Sequence, residues 1–118
     1  MDTITIYHNP RCGKSRAALA LLQERKVPLR VVEYLKEPPT RRELSTLRKQ
    51  LGLNPSQWIR TGEPEFRAAG LSTGSSDEQL LDAMATHPIL IERPIIVRGA
   101  RAVVGRPPER VRELLDEE

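Results

Sequence analysis

The chain has 118 residues and a single cysteine, so it is the size of one domain and cannot form an internal disulfide. Its formal charge of +3 comes from 19 basic and 16 acidic residues, and only 3% of its residues are aromatic. So few aromatic residues argue against a nucleic-acid surface on which bases stack. No apolar stretch has the length of a membrane span or of a signal-peptide core. We therefore expect a soluble, cytoplasmic protein that binds neither nucleic acid nor membrane.

The N-terminal elements predict a β-α-β unit. Residues 3–7 alternate apolar and polar side chains as a strand does, and apolar residues recur at helical spacing over 17–22. Residues 30–35 are short and β-branched and predict a second strand. A right-handed crossover then makes the two strands parallel.

The middle of the chain, from about residue 40 to 87, is predicted to be a helical insertion. Thr40 and Glu43 have the spacing of a capping box, and Gly52 has the position of a helix stop. Shorter helices are expected after Asn54 and over 64–69. This segment has no low-complexity run, so we expect residues 1–118 to form a single domain that includes the insertion.

A further helix and the C-terminal elements complete the predicted fold. Ser75 and Glu78 predict a second capping box, at the start of a helix that Pro88 closes. Residues 94–97 and 102–104 predict a hairpin, and 109–115 a last helix. The order β-α-β, helical insertion, β-β-α predicts an α/β thioredoxin-like fold with a four-stranded mixed sheet.

Cys12 lies five residues past the predicted end of the first strand and just before the first helix. The free N–H groups at a helix N-terminus stabilise a thiolate. Three cations, Arg11, Lys14 and Arg16, lie within four residues of the thiol. The pattern therefore predicts a reactive cysteine, because a buried structural cysteine behaves as a small apolar residue and needs no such surroundings.

The sequence around this cysteine does not match either of two known anion-binding motifs. A P-loop ending at Ser15 would need glycine where the chain has His8, and a phosphatase-like C-x5-R loop would need arginine at Ala18. The pattern that fits is C-x-x-S, with Ser15 where a dithiol oxidoreductase has its resolving cysteine. Turnover at Cys12 would therefore need an external thiol as reductant.

Several other residues are candidates for the site. Arg60, Arg93 and Arg106 each lie in a loop or at an element end beside glycine or proline, where function is more often located than on helix faces. Pro94 is the first residue of the predicted third strand, and we predict a cis peptide bond between Arg93 and Pro94. His8 either assists the thiol as a charged or basic imidazole or binds turn carbonyls, and the sequence leaves both roles open.

A family resemblance rests on five segments, which are residues 8–16, 34–40, 87–88, 92–97 and 105–108. Together they resemble the glutaredoxin-linked arsenate reductase family, which has a thioredoxin-like fold, and they resemble its short chromosomal members most. The likeness spans almost the whole chain in order. It implies that Cys12 is the nucleophile, that Arg60, Arg93 and Arg106 hold the oxyanion, and that His8 is the active-site histidine.

The same resemblance implies cytosolic reduction of arsenate, or a related oxyanion, to arsenite. Glutathione would be the co-substrate and glutaredoxin the protein partner, with no metal and no bound cofactor. Two alternatives remain open. One is a glutaredoxin-like monothiol oxidoreductase acting on glutathione mixed disulfides, and the other is a non-catalytic adaptor of the same fold that binds another protein.

Overall fold

A computed structural model describes residues 3–115 of the chain. Its strands are β1 Ile4–His8, β2 Leu29–Glu33, β3 Ile95–Arg98 and β4 Arg101–Val104. They form one sheet in the order β2-β1-β3-β4. β1 runs parallel to β2 and antiparallel to β3, and β4 runs antiparallel to β3. The predicted four-stranded mixed sheet is confirmed.

Residues 3–115 contain five α-helices. They are α1 Gly13–Glu24, α2 Arg41–Leu51, α3 Pro64–Ala68, α4 Asp77–Thr86 and α5 Arg112–Leu115. Single turns of 3-10 helix cover Pro55–Gln57, Pro88–Leu90 and Pro108–Val111. None of the helices in this part of the chain is long and apolar enough to cross a membrane.

The chain folds into two compact units. The first unit comprises residues 3–37 and 93–115 of the described chain, and the second comprises Pro38–Glu92. The second unit contains the predicted helical insertion of about 40–87 and extends a few residues beyond it at each end. The sheet, α1 and α5 belong to the first unit, so the chain leaves this unit after β2 and returns to it before β3. That the two units form a single domain stays a prediction.

The core of the first unit includes one face of β1, an inner strand of the sheet. Ile4 and Ile6 of β1 are fully buried, because alternate residues of a strand point to the same face. Each such side chain contributes about 1.5–3 kcal/mol by burial. The other members of this core come from α1, the neighbouring strands and the C-terminal helical turns: Ala18, Leu22, Ile96, Val103, Val111, Leu114 and Leu115.

Ion pairs join two helices in the second unit. Arg41 of α2 pairs with Glu78 and Asp82 of α4, and its Nε lies 2.7 Å from Asp82 Oδ1. Arg48 Nη2 of α2 lies 2.7 Å from Asp77 Oδ2 of α4. The buried residues of this unit include Leu44, Leu47, Trp58, Leu80, Leu81 and Met84.

The first capping box is confirmed and the second lies one residue later than predicted. Thr40 Oγ1 accepts a 3.0 Å bond from Glu43 N, and Glu43 Oε1 accepts a 2.9 Å bond from Thr40 N. At α4 the reciprocal bonds join Ser76 and Gln79 rather than the predicted pair one residue earlier. Serine and a polar N3 residue are present in both registers, so the pattern alone does not decide between them.

Some element ends also differ from the prediction. β2 ends at Glu33 rather than 35, because the Lys36 and Glu37 N–H groups both donate to Glu33 O in a turn. β3 begins at Ile95 rather than Pro94, and proline has no N–H to donate to a strand ladder. The predicted last helix is a 3-10 turn that passes into α5.

Candidate active site

Cys12 is the N-cap residue of α1 and has an extended backbone, with φ −98° and ψ 121°. Its N–H donates to Asn9 O at 3.0 Å, and its own carbonyl accepts the 3.0 Å bond of Arg16 N. The Asn9 side chain tightens the same turn, because Asn9 Oδ1 accepts from Arg11 N at 2.9 Å. The thiol is half-buried and lies at the N-terminal end of α1, where the helix dipole is positive.

The three cations near the thiol have different roles. Arg11 and Lys14 are exposed, whereas Arg16 also holds the turn, since its Nη1 donates to Pro10 O at 2.9 Å. The surface beside Cys12 is therefore basic and favours the approach of an anion.

Ser15 ties the strand end to the helix instead of facing solvent. It is fully buried, and its Oγ accepts the Asn9 N–H at 3.0 Å and lies 2.6 Å from His8 Nδ1. A hydroxyl has one hydrogen, so Ser15 can donate that hydrogen to His8 Nδ1 while it accepts from Asn9. The serine of the C-x-x-S pattern therefore holds the turn between β1 and α1 in place.

His8 is buried at the end of β1, and the structure favours a neutral ring. Burial lowers the pKa of His8 below 6.5, Glu33 acts against this shift and Arg16 adds to it. The ring binds the Ser15 side chain, a contact that the sequence did not predict, and a role of His8 towards the thiol stays a prediction. A neutral imidazole holds the cysteine turn in place and keeps Nε2 as its second polar atom.

The sheet register brings Arg93 and Arg106 to the edge that carries Cys12. Tyr7 pairs with Ile95, and Ile95 pairs with Val104, so the residues before β3 and after β4 lie beside the end of β1. Arg106 Nη1 donates to Arg93 O at 3.3 Å. The predicted cis peptide bond between Arg93 and Pro94 is confirmed, and the bond between Arg106 and Pro107 is also cis.

Gly105 allows the segment after β4 to approach Pro94 and Ile96 closely. Its N–H donates to Pro94 O at 2.8 Å. A Cβ at Gly105 would lie 2.8 Å from Ile96 Cδ1 and 2.9 Å from Pro94 Cγ, which is closer than carbon atoms pack. Only glycine fits here without a shift of the Pro94 ring, so the segment joining β4 to Arg106 depends on it.

Arg60 belongs to the second unit. It follows a single bridge between Ile59 and Ile91, and its N–H donates to Leu90 O at 2.7 Å. Its guanidinium pairs with Glu63, with Nη1 3.0 Å from Oε1, and its Nε lies 3.9 Å from Glu92 Oε1. The arginine is therefore oriented by carboxylates of its own unit.

The structure thus gathers Cys12, His8, Ser15, Arg93 and Arg106 with Pro94 at one edge of the first unit, and it describes Arg60 within the second. Sequence reasoning missed Asn9, whose position directly after a strand and before proline indicates a turn residue. It also missed Glu63. The spacing from Arg60 to Glu63, in a segment that begins a helix, was the available signal.

Comparison with known proteins places the chain in a family. The model of the ArsC family matches residues 7–114. The chain is 47% identical over 114 residues to a Rhizobium meliloti (strain 1021) protein named arsenate reductase, which covers 96% of this chain and 81% of that protein.

A second relative and a solved structure agree with this match. A Neisseria meningitidis (strain DSM 15465 / Z2491) protein, also named arsenate reductase, is 44% identical over 117 residues, covering 98% of this chain and 100% of that protein. The structure of an arsenate reductase from Vibrio cholerae matches with a TM-score of 0.89 at 45% identity, over 95% of this chain and 97% of that chain. With the predicted mixed sheet, a thiol at the predicted helix start and a family match over nearly its whole length, the chain belongs to the ArsC family.

Proposed function

We propose that this protein reduces arsenate to arsenite, with Cys12 as the nucleophile and glutathione and glutaredoxin as the sources of electrons. The observation that carries the proposal is the half-buried thiol at the N-terminus of α1, on the sheet edge that also carries Arg93 and Arg106. The names of the relatives support arsenate as the oxyanion.

The arginines supply the positive charge that a thiolate needs in order to approach an anion. A thiolate and an oxyanion repel each other, and fixed guanidinium groups offset that repulsion as the sulfur approaches arsenic. A forked guanidinium also holds two oxygens of a tetrahedral anion at once. We propose that Arg60, Arg93 and Arg106 all serve in this way, with the first N–H groups of α1 as further donors.

The reaction balances with two external thiols. The Cys12 sulfur attacks arsenic and displaces one oxygen as hydroxide, which leaves as water after protonation. The glutathione sulfur then displaces a second oxygen in the same way. A glutaredoxin thiolate attacks the glutathione sulfur, the sulfur–arsenic electron pair passes to arsenic, and the two external sulfurs leave as a mixed disulfide. Arsenic is thereby reduced from As(V) to As(III), and hydrolysis of its bond to Cys12 releases arsenite.

The alternatives make different demands on the arginines. A glutaredoxin-like oxidoreductase acting on mixed disulfides needs Cys12 but no oxyanion clamp. An adaptor that only binds another protein needs neither. The substrate and the arginine dependence are therefore the properties to measure.

A coupled assay with arsenate, glutathione, glutaredoxin, glutathione reductase and NADPH tests the proposal, with direct detection of arsenite. We expect turnover in the wild type and none in Cys12→Ser. Arg106→Lys keeps the charge but loses the fork, so we expect a raised KM for arsenate. Arg112→Ala, which changes an exposed side chain of α5, should behave as the wild type. Absence of arsenite from the wild type, or full activity of Cys12→Ser, would contradict the proposal.

A further inference from the structure

A groove of about 210 Å³ opens at the carboxyl ends of the parallel strands β1 and β2. His8 and the turn 9–11 form its β1 side, and Glu33, Leu35 and Lys36 form its β2 side. Crevices outside the carboxyl ends of strands are where open α/β sheets bind small molecules. We propose that this groove binds the external thiol co-substrate, a small peptide thiol with carboxylates, which deepens the proposed function and rests on it.

The need for such a site follows from the thiol chemistry. Cys12 is the only cysteine of the chain, and Ser15 is buried with its hydroxyl occupied by Asn9 and His8. The second sulfur must therefore come from outside and must arrive beside Cys12. A co-substrate that is bound and oriented reacts far faster than one that collides freely.

The groove shares its wall with the turn that carries the thiol. Asn9 lines the groove, and its carbonyl accepts the Cys12 N–H at 3.0 Å. Arg11 also lines the groove and directly precedes Cys12, so their Cα atoms are about 3.8 Å apart. An extended tripeptide spans roughly 10 Å. A peptide anchored in the groove therefore stays within reach of the cysteine turn.

The charges around the groove complement a peptide thiol such as glutathione. Glutathione has a carboxylate at each end and an ammonium group at one end. Arg11 and Lys36 are exposed cations suited to the two carboxylates, and Glu33 is an anion suited to the ammonium. Lys36 Nζ lies 3.6 Å from Glu33 Oε1, but this exposed pair contributes little and exchanges readily for a ligand.

An apolar contact distinguishes the groove from a simple anion site. The Leu35 side chain is 42% exposed at the groove although it is a large hydrophobic residue. Pro10 adds a second apolar surface. These side chains suit the methylene groups of a peptide, whereas arsenate alone gains nothing from them.

NMR titration with S-methylglutathione tests the site, because the blocked sulfur cannot bond to Cys12 or to arsenic. We expect saturable shifts of the backbone amides of 9, 11 and 33–36. Lys36→Glu and Leu35→Asp should each weaken binding by about fivefold, the effect of one exposed interaction. Lys49→Glu, on the exposed side of α2, is the matched control and should bind as the wild type does.

Steady-state kinetics then separates this proposal from the proposed function. We expect Lys36→Glu to raise the KM for glutathione about fivefold and to leave the KM for arsenate unchanged. If arsenate is reduced but this variant keeps the wild-type KM for glutathione, the groove assignment is wrong and the function stands. If no arsenate is reduced but S-methylglutathione still saturates the groove, the site stands and the function fails. Chemical-shift changes confined to the amides of Arg93 and Arg106 would show that the peptide thiol does not bind in the groove.

Discussion

Arg60 carries its charge next to carboxylates, which is unexpected for a residue proposed to bind an anion. Glu63 Oε1 lies 3.0 Å from Nη1, and Glu92 Oε1 lies 3.9 Å from Nε. All three side chains are about one-quarter exposed, so solvent screens these charges only in part. A bound oxyanion at Arg60 would be repelled by Glu63.

We therefore predict that Glu63→Gln binds the oxyanion more tightly than the wild type. The change removes one negative charge while it keeps the size of the side chain, so the affinity for sulfate or arsenate should rise about two- to fivefold, or ~0.5–1 kcal/mol. Calorimetric titration measures it. Glu65→Gln, with the same change of charge two residues away, is the control and should leave the affinity unaltered. Weaker binding by Glu63→Gln would show instead that Glu63 positions Arg60.

The lowered pKa of His8 predicts that the free energy of unfolding depends on pH. Its pKa in the folded chain lies below 6.5 because the ring is buried, so the unfolded chain takes up the proton more readily. The contribution of His8 is then fully present above about pH 6.5 and is lost as the pH falls towards the folded pKa. Urea unfolding at several pH values compares the wild type with His8→Asn, which cannot titrate there.

We expect the wild type to lose stability relative to His8→Asn between pH 7.5 and 5, by no more than about 1.4 kcal/mol per pH unit. The comparison cancels the titration of the carboxylates that both proteins share. A difference between the two proteins that does not change with pH, or that grows in favour of the wild type at low pH, would contradict a lowered pKa.

The helix ends show how far local sequence determines local structure. Thr40, Glu43 and Gly52 bound α2 as predicted, because a capping box and a left-handed stop are recognisable from residue types alone. The α4 cap lies one residue away from its predicted position, because Ser75 and Ser76 are both suitable N-cap residues. Local patterns therefore identify an element more reliably than its exact first residue.

Gly52 offers a direct test of one such helix end. Its φ is +66°, and a Cβ there would meet no atom within 4 Å, so alanine adds backbone strain without a clash. Gly62 is equally open but has no positive φ, which makes it the matched control. We predict that Gly52→Ala lowers the free energy of unfolding by about 1 kcal/mol. Gly62→Ala should stay within about 0.5 kcal/mol of the wild type in the same urea titration.

The fold and the position of the thiol could be predicted from the sequence, whereas the contacts between distant residues could not. The order of elements and the position of Cys12 before α1 are local features, and both were predicted correctly. The bond from Ser15 to His8 joins α1 to the end of β1, and the pairing of Arg60 with Glu92 joins two loop residues that are far apart in the sequence. Such pairings depend on register and packing, which periodicity does not encode.

Whether the two units unfold together can be measured with probes that the chain already contains. Trp58, the only tryptophan, is fully buried in the second unit, and both tyrosines, Tyr7 and Tyr34, lie in the first. The first unit is interrupted by the insertion, so β3 must pair with β1 across a long connection. The second unit is too short to bury a large core of its own. We therefore expect one cooperative transition.

Tryptophan fluorescence and ¹⁹F NMR of fluorotyrosine-labelled protein should give the same urea midpoint and the same denaturant dependence. Gly52→Ala then provides the stricter test, because its strain lies in the second unit alone. In a single cooperative domain this substitution lowers the midpoint of the tyrosine signals as much as that of the tryptophan signal. If the tyrosine midpoint stays unchanged while the tryptophan midpoint falls, the units unfold separately and the predicted single domain is wrong.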